Sequence, residues 1–308
     1  MAGTTAVNDI TLTGTAQRVA GSDDETGTVT YKAIAGSSRL DLSLSQGTRS
    51  EIRGVGANGP AGNWIGPDGV VHETSNHNLL TDAGWFPLFT LSNLISSKNA
   101  VLTYVGPETK NGVSVVHIIS TQQFPSVAAK SAPFWQHLSQ MDVYLDASTL
   151  LPFALDFNLH PDDNASFDIP VEFRFSDYRS TASLKIPFHI QQYLNGSLLL
   201  DVQFQTASLN LGLRRWPQDY SINRLRVLGN RIRAAHSRPD SSGIVPEAPV
   251  GHRKYRRLGR DRCGQHCRCL VIQRMIAEVS RGRTVYQSTR DRNRRVQLLP
   301  DVIARPTR

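Results

Sequence analysis

The chain has 308 residues, a net charge of +8, an isoelectric point near 9.7 and three cysteines. Its length suits one large domain or two ordinary ones, and so few cysteines exclude a fold held together by a disulfide framework. No stretch approaches the ~20 apolar residues of a membrane-spanning helix.

The charge is unevenly placed. Residues 1–213 hold 11 basic and 19 acidic residues, a net of −8, whereas residues 214–308 hold 22 Arg, one Lys and seven acids, a net of +16. A 22:1 ratio of Arg to Lys is hard to explain by ion pairing alone. A shifted reading frame through guanine-rich codons is one source of such a bias, and a basic extension is the other. Two regions follow: a β-rich domain over 1–213 and an Arg-rich tail of low order over 214–308. Met1-Ala-Gly-Thr-Thr lacks the charged start and apolar core of a secretory signal. Taken literally the chain is cytoplasmic, although a strand beginning as early as Asp9-Ile10 leaves room for a longer natural precursor.

Along the chain the dominant signal is alternation with a period of two. Leu40, Leu42 and Leu44 oppose Asp41, Ser43 and Ser45; Met141, Val143 and Leu145 oppose Asp142, Tyr144 and Asp146. Phe153, Leu155, Phe157 and Leu159 alternate with Ala154, Asp156, Asn158 and His160, and Ile169, Val171, Phe173 and Phe175 with Pro170, Glu172, Arg174 and Ser176. One dry face and one wet face mark an antiparallel sheet. Turn residues such as Gly21-Ser22-Asp23-Asp24, Lys110-Asn111-Gly112 and Asp146-Ala147-Ser148-Thr149 separate the segments. Gly54-Val55-Gly56-Ala57-Asn58-Gly59 has no helical pattern after it and reads as a hairpin connection.

Helix is scarce. An apolar stripe of Trp85, Leu88, Phe89, Leu91, Leu94 and Ile95 predicts a helix over 82–97, with Pro87 in its first turn. A shorter one is predicted over 133–140, and an amphipathic one over 222–237 in the tail. In the last hairpin, a two-residue Asn195-Gly196 loop would pair Ile190 with Asp201. A three-residue loop would pair Ile190 with Leu200 and Phe188 with Val202; the buried face selects the latter, with Gly196 in the left-handed position. About ten strands with so little helix must curl or enclose something. The fold class expected is therefore mainly β: a curved antiparallel sheet, an incomplete barrel, with one or two lid helices.

Side chains with catalytic or metal-binding chemistry are sparse. His72 and His77 are five residues apart in a Gly/Asn-rich loop rather than four apart on a helix, and His160-Pro161-Asp162-Asp163 reads as a polar turn. Asp142, Asp146 and Asp156 fall on the wet face and are expected to be solvated. The tail's Cys263, Cys267 and Cys269, with His252 and His266, lack a zinc spacing. No nucleophile elbow, phosphate loop or dinucleotide fingerprint is present. No catalytic residue, metal or cofactor is therefore expected. The tail's few aromatics do not interleave with its arginines, so specific nucleic-acid recognition is not expected.

Asp142-Val-Tyr-Leu-Asp-Ala-Ser-Thr-Leu-Leu-Pro152, then Phe175-Ser-Asp-Tyr-Arg179, Ile186-Pro-Phe188 and the Asn195-Gly196 hairpin, in that order, resemble the LolA-like superfamily of bacterial envelope proteins over residues 9–213. The resemblance is to its uncharacterised secreted branch. It implies a half-barrel whose concave apolar face holds a lipid or lipoprotein acyl chain under lid helices, without catalysis, in the periplasm or outside the cell. The lining would come from Leu40, Leu42, Leu44, Val143, Leu155, Phe157, Phe173, Phe188 and Ile190, and the lid from Trp85, Leu88 and Leu91. The same residues could instead simply fill a core. A sensor or protein-interaction module with a closed interior, partnered by another envelope protein, stays open, as does a hydrolase using carboxylates. The chain departs from the family in lacking a helix before Ile10 and in carrying the tail.

Overall fold

The computed structural model describes residues 7–34, 36–56, 59–182 and 184–214. Residues 215–308 of the Arg-rich tail, with the helix expected over 222–237 and the three cysteines, lie outside them.

Six strands form a first meander: β1 (Asp9–Ala20), β2 (Asp23–Ile34), β3 (Ser37–Leu44), β4 (Gly47–Gly56), β5 (Gly59–Ile65) and β6 (Val71–Glu73). A link then carries a 3-10 turn (Asn76–Leu79) and helix α1 (Pro87–Ser96). The second meander runs β7 (Ala100–Lys110), β8 (Val113–Gln122), β9 (Met141–Asp146), β10 (Pro152–Leu159), β11 (Ile169–Thr181), β12 (Leu184–Leu194) and β13 (Ser197–Leu209), with helix α2 (Ala132–Leu138) between β8 and β9. All thirteen join one antiparallel sheet in the order β6-β5-β4-β3-β2-β1-β13-β12-β11-β10-β9-β8-β7. The first and last strands meet at its centre and seam the two meanders, while β6 and β7 remain its open edges.

The sheet is strongly curled, and one side chain proves it. The Trp85 indole Nε1 donates to Glu51 on β4 at 3.1 Å, while its ring packs edge-on to Phe173 on β11 with centroids 4.8 Å apart. Those strands lie six places apart in the order, about 29 Å in a flat sheet. A single residue can touch both only if the sheet wraps around it. The expected mainly β, incomplete barrel is thus what forms, with thirteen strands rather than about ten.

The dry face is the concave one. Leu40, Leu42, Leu44, Val143, Leu155, Phe157, Phe173, Phe188 and Ile190 all belong to one buried cluster with Trp85 and Phe86, and Leu88, Phe89 and Leu91 pack against it. The link between the meanders packs into the trough, where its Trp85, Phe86 and Leu94 join the buried cluster. Its helix begins later than the 82–97 stripe predicts, at Pro87. Proline bars the helical region to the residue before it, and Phe86 is accordingly extended at φ −132°, ψ 93°. Trp85 therefore hangs from an extended segment ahead of the helix. Gly84 allows this approach: its φ is +77°, and a Cβ there would sit 3.0 Å from the Phe173 ring. The second helix forms close to its predicted place, as α2.

Two strands contain bulges that alternation alone misplaces. The Asn195-Gly196 loop has two residues with φ of 50° and 76°, and Leu194 pairs with Ser197 across it. The extra residue sits further along, at Leu199, so that Ile190 pairs with Val202 rather than with Leu200. Apolar still meets apolar, as the buried face demands, but the bulge lies in the strand and not in the loop. Near the start of β10 a register shift between Pro152 and Ala154 turns Phe153 away from the trough, to pack with Val115, Tyr144 and Ala154 on the outer face.

The motif residues meet physically. One carboxylate oxygen of Asp146 accepts from the backbone N–H and hydroxyl of both Ser148 and Thr149, at 2.6 to 3.0 Å. These bonds hold the Asp146 carboxyl below its ordinary value, the Ser148 hydroxyl contributing most. The hydroxyl of the half-buried Tyr178 donates to the Pro152 carbonyl at 2.7 Å, fastening β11 to the end of that turn. The Gly54–Gly59 hairpin forms as expected, Gly56 pairing with Gly59.

Candidate functional site

The trough is not filled completely. A cavity of about 280 Å3 is lined by Leu40 and Leu42 of β3, Trp64 of β5, Trp85 of the link, Leu200 of β13 and the bulged Leu199, with Arg18, Arg49 and Glu51 at its polar side. Of the nine lining residues expected from sequence, Leu40 and Leu42 face this cavity; the others are packed into the core beneath the lid. Trp85 is both lid and wall, while Leu88 and Leu91 of α1 are half-buried over the cluster. Leu199 could not be foreseen, because only the bulge exposes it here.

The polar side of the cavity is a departure from a wholly greasy trough. Directly paired residues share a face, and Leu40 and Leu42 pair with Glu51 and Arg49. Buried Glu25 on β2 accepts from Arg18 Nη1 and Arg49 Nη2, both at 2.8 Å and on the same oxygen. Burial alone would raise its pKa, but Arg49 and then Arg18 hold the carboxyl below its ordinary range. A depressed carboxylate contributes stability that is complete above the unfolded-state pKa, about 4.3, and is lost as pH falls through the lower folded value. Glu25→Gln is accordingly expected to flatten the acid limb of the stability curve, checked by urea midpoints of parent and variant between pH 7 and 3. The Arg49 Nε is buried without a hydrogen-bond partner.

The outer face holds a second depression of about 390 Å3, lined by Asp142, Asp156, Glu172, Asn158, Gln140 and His137 among others. Asp142 pairs with Asp156, and Asp156 with Glu172, which sets three acids in a row across three strands. Asp142 and Asp156, expected from sequence to be solvated, are bonded to neighbours, as is Glu172. Asp142 bonds to His117 and Gln140, Asp156 to Lys110, and Glu172 to Arg174 and Asn111. Burial pushes Asp156 above its ordinary value against the pull of Lys110, while the neighbouring acids add to the rise. Each acid is thereby committed to a structural partner, as is Asp146 in its turn.

A third arrangement lies where the link crosses the end of the trough. Asn78 grips the backbone of His160 from both sides: its Nδ2 donates to the His160 carbonyl at 2.8 Å, and its Oδ1 accepts from the His160 N–H at 2.9 Å. Arg53 of β4 donates to the carbonyls of Asn78 and Thr81, and Ser75 bonds to Asp162. His72 and His77, neighbours in sequence, are separated: His72 stacks on Trp64 with ring centroids 3.9 Å apart, whereas His77 stands edge-on to His160 at 5.8 Å. Burial pushes His160 below the ordinary imidazole value, with His77 and His137 adding to that, against the opposing pull of Asp168.

Fold and cavity together define an open antiparallel half-barrel, closed over its concave side by an internal lid segment. Solved structures to which the chain is similar include an outer membrane lipoprotein-sorting protein domain from Vibrio parahaemolyticus, 13% identical, covering 71% of this chain and 92% of that chain with a TM-score of 0.44. A DUF1329 family protein from Desulfovibrio piger is 9% identical and covers 68% and 88%, with a TM-score of 0.44. A LolA superfamily protein from Nitrosomonas europaea is 11% identical and covers 68% and 88%, with a TM-score of 0.40. No protein-family model matches the chain, and no curated protein matches it in sequence. Among the described residues no helix is long and apolar enough to cross a membrane.

Proposed function

We propose that the chain is a non-enzymatic binder of a single hydrophobic ligand, an acyl chain with an acidic head, held in the trough at the bacterial envelope. The observation that carries this reading is the cavity lined by the apolar Leu40, Leu42, Trp85 and Leu199 together with the charged Arg18 and Arg49. An acyl chain needs only a dry concave wall, and each methylene buried contributes about 0.8 kcal/mol. Six of them would give about 5 kcal/mol before the cost of association. At about 280 Å3 the space sits just below the usual range for small-molecule sites, roughly 300–1,000 Å3. The ligand is therefore one short chain or a chain end, unless the lid segment swings outward. Arg49, a cation in the cavity lining, is suited to the acidic head.

The test is displacement of a fluorescent fatty acid from the full chain, with Leu199→Glu and Arg49→Met as variants. Leu199 is only half-buried, so its replacement should leave the fold intact. We expect Leu199→Glu to weaken binding by about 10-fold or more, since it puts a charge against the apolar chain. Arg49→Met should weaken the acid more than the corresponding alcohol. A parent protein that takes up no fatty acid, or a Leu199→Glu variant that binds as the parent does, would sink the reading.

A further inference from the structure

Four side chains that are remote in sequence come together at the end of the trough. His137 Nε2, from the last turn of α2, lies 2.9 Å from Asp168 Oδ1. His160 Nε2, just past β10, lies 3.1 Å from the same oxygen. The three donor atoms are all within 4.8 Å of one another. Two imidazole nitrogens converging on one carboxylate oxygen is the donor set of a zinc ion, whose ligands at about 2.0–2.2 Å stand roughly 3.3 Å apart in a tetrahedron. The two separations from Asp168 need to open by only a few tenths of an ångström to admit it, and the two histidine nitrogens already lie within 4.8 Å of each other.

Three further observations point the same way. His77 stands edge-on to His160, and its Nε2 is buried without a hydrogen-bond partner; such an orphaned buried nitrogen costs free energy and calls for a ligand. The His160 side chain is fully buried, and its backbone is clamped on both sides by Asn78, which fixes this donor before any ion arrives. His137 and Asp168 are 43% and 41% exposed, so an ion has a path in from solvent.

We propose that His137, His160 and Asp168 bind a zinc ion, with His77 turning to supply the fourth donor. The ion would join three segments: α2 through His137, the turn between β10 and β11 through His160 and Asp168, and the start of the lid link through His77. It would therefore staple the link to the sheet at the point where the link crosses the trough. This site is separate from the acyl cavity, and neither inference depends on the other.

The test uses the full chain without an affinity tag and with its cysteines alkylated, because Cys263, Cys267 and Cys269 could take zinc on their own account. Cobalt(II) serves as a spectroscopic stand-in and zinc as calorimetric titrant. The parent is expected to take one equivalent at micromolar affinity or tighter, with the intense visible bands of four-coordinate cobalt, and to melt at a higher temperature with zinc. His137→Ala and Asp168→Asn replace exposed groups and should keep the parent's circular dichroism, yet lose affinity by more than about 100-fold; Asn78→Ala, which removes the clamp, should lose about 10-fold. An alkylated parent that binds neither ion at micromolar concentration overturns the proposal. So do His137→Ala and Asp168→Asn variants that bind as the parent does.

Discussion

Phe173→Ala is expected to lower the stability of the domain by about 3–5 kcal/mol, the usual cost of emptying a buried aromatic site. Phe173 is 1% exposed at the floor of the trough. It takes the edge of Trp85 at 4.8 Å, lies parallel to Phe157 at 6.0 Å and closes on the backbone of Gly84. Gly84 is not free to move in and fill the space, because its φ is +77° and its N–H is tied to Asp82 Oδ1. The cavity should therefore persist, and it would open directly onto the lid. Denaturant titration is the measurement: the midpoint should fall with little change in slope, since the same surface is exposed on unfolding. A loss below about 1 kcal/mol would mean that the lid segment collapses readily, contrary to the packing described.

Gly14→Ala should be comparably damaging, for a different reason. Gly14 sits at a register shift in the pairing of β1 with β13. A Cβ there would meet the Gln203 carbonyl oxygen at 2.1 Å and the Phe204 Cα at 2.6 Å. Those are backbone atoms of the neighbouring strand, so no side chain can turn aside. Overpacking a well-packed site costs about 1–3 kcal/mol where side chains can yield; here the seam between the two meanders must separate, and about 3 kcal/mol or more is expected. The same denaturation measurement checks it, and hydrogen exchange at β1 and β13 should rise first. An alanine variant as stable as the parent would show that the seam is not held at this point.

Much of this architecture was readable from the chain because a half-buried strand writes its two faces into alternate residues. Leu40, Leu42 and Leu44, or Val171, Phe173 and Phe175, can be assigned to one side without coordinates. The same rule fails where a single extra residue is inserted: Phe153 and Leu199 each look like members of an ordinary run, and only pairing with a neighbour reveals the bulge. It fails again at β4, where Arg49 and Glu51 face inward. Their charge is tolerated because Glu25, Arg18 and Trp85 meet them there, and those partners come from strands and a link distant in sequence. The histidine and aspartate cluster was illegible for a similar reason. His77, His137, His160 and Asp168 have no motif spacing; they are gathered by the route of the link across the sheet and by Asn78 holding His160.

The outermost strand β7 bears on how the molecule behaves among its own copies. An eleven-residue rim ending a sheet would ordinarily offer a ladder of free amides and carbonyls to a neighbour. Here the register slips between Tyr104 and Gly106, and Pro107 takes one amide proton out of the row. This rim is thereby an interrupted template for a strand of another copy.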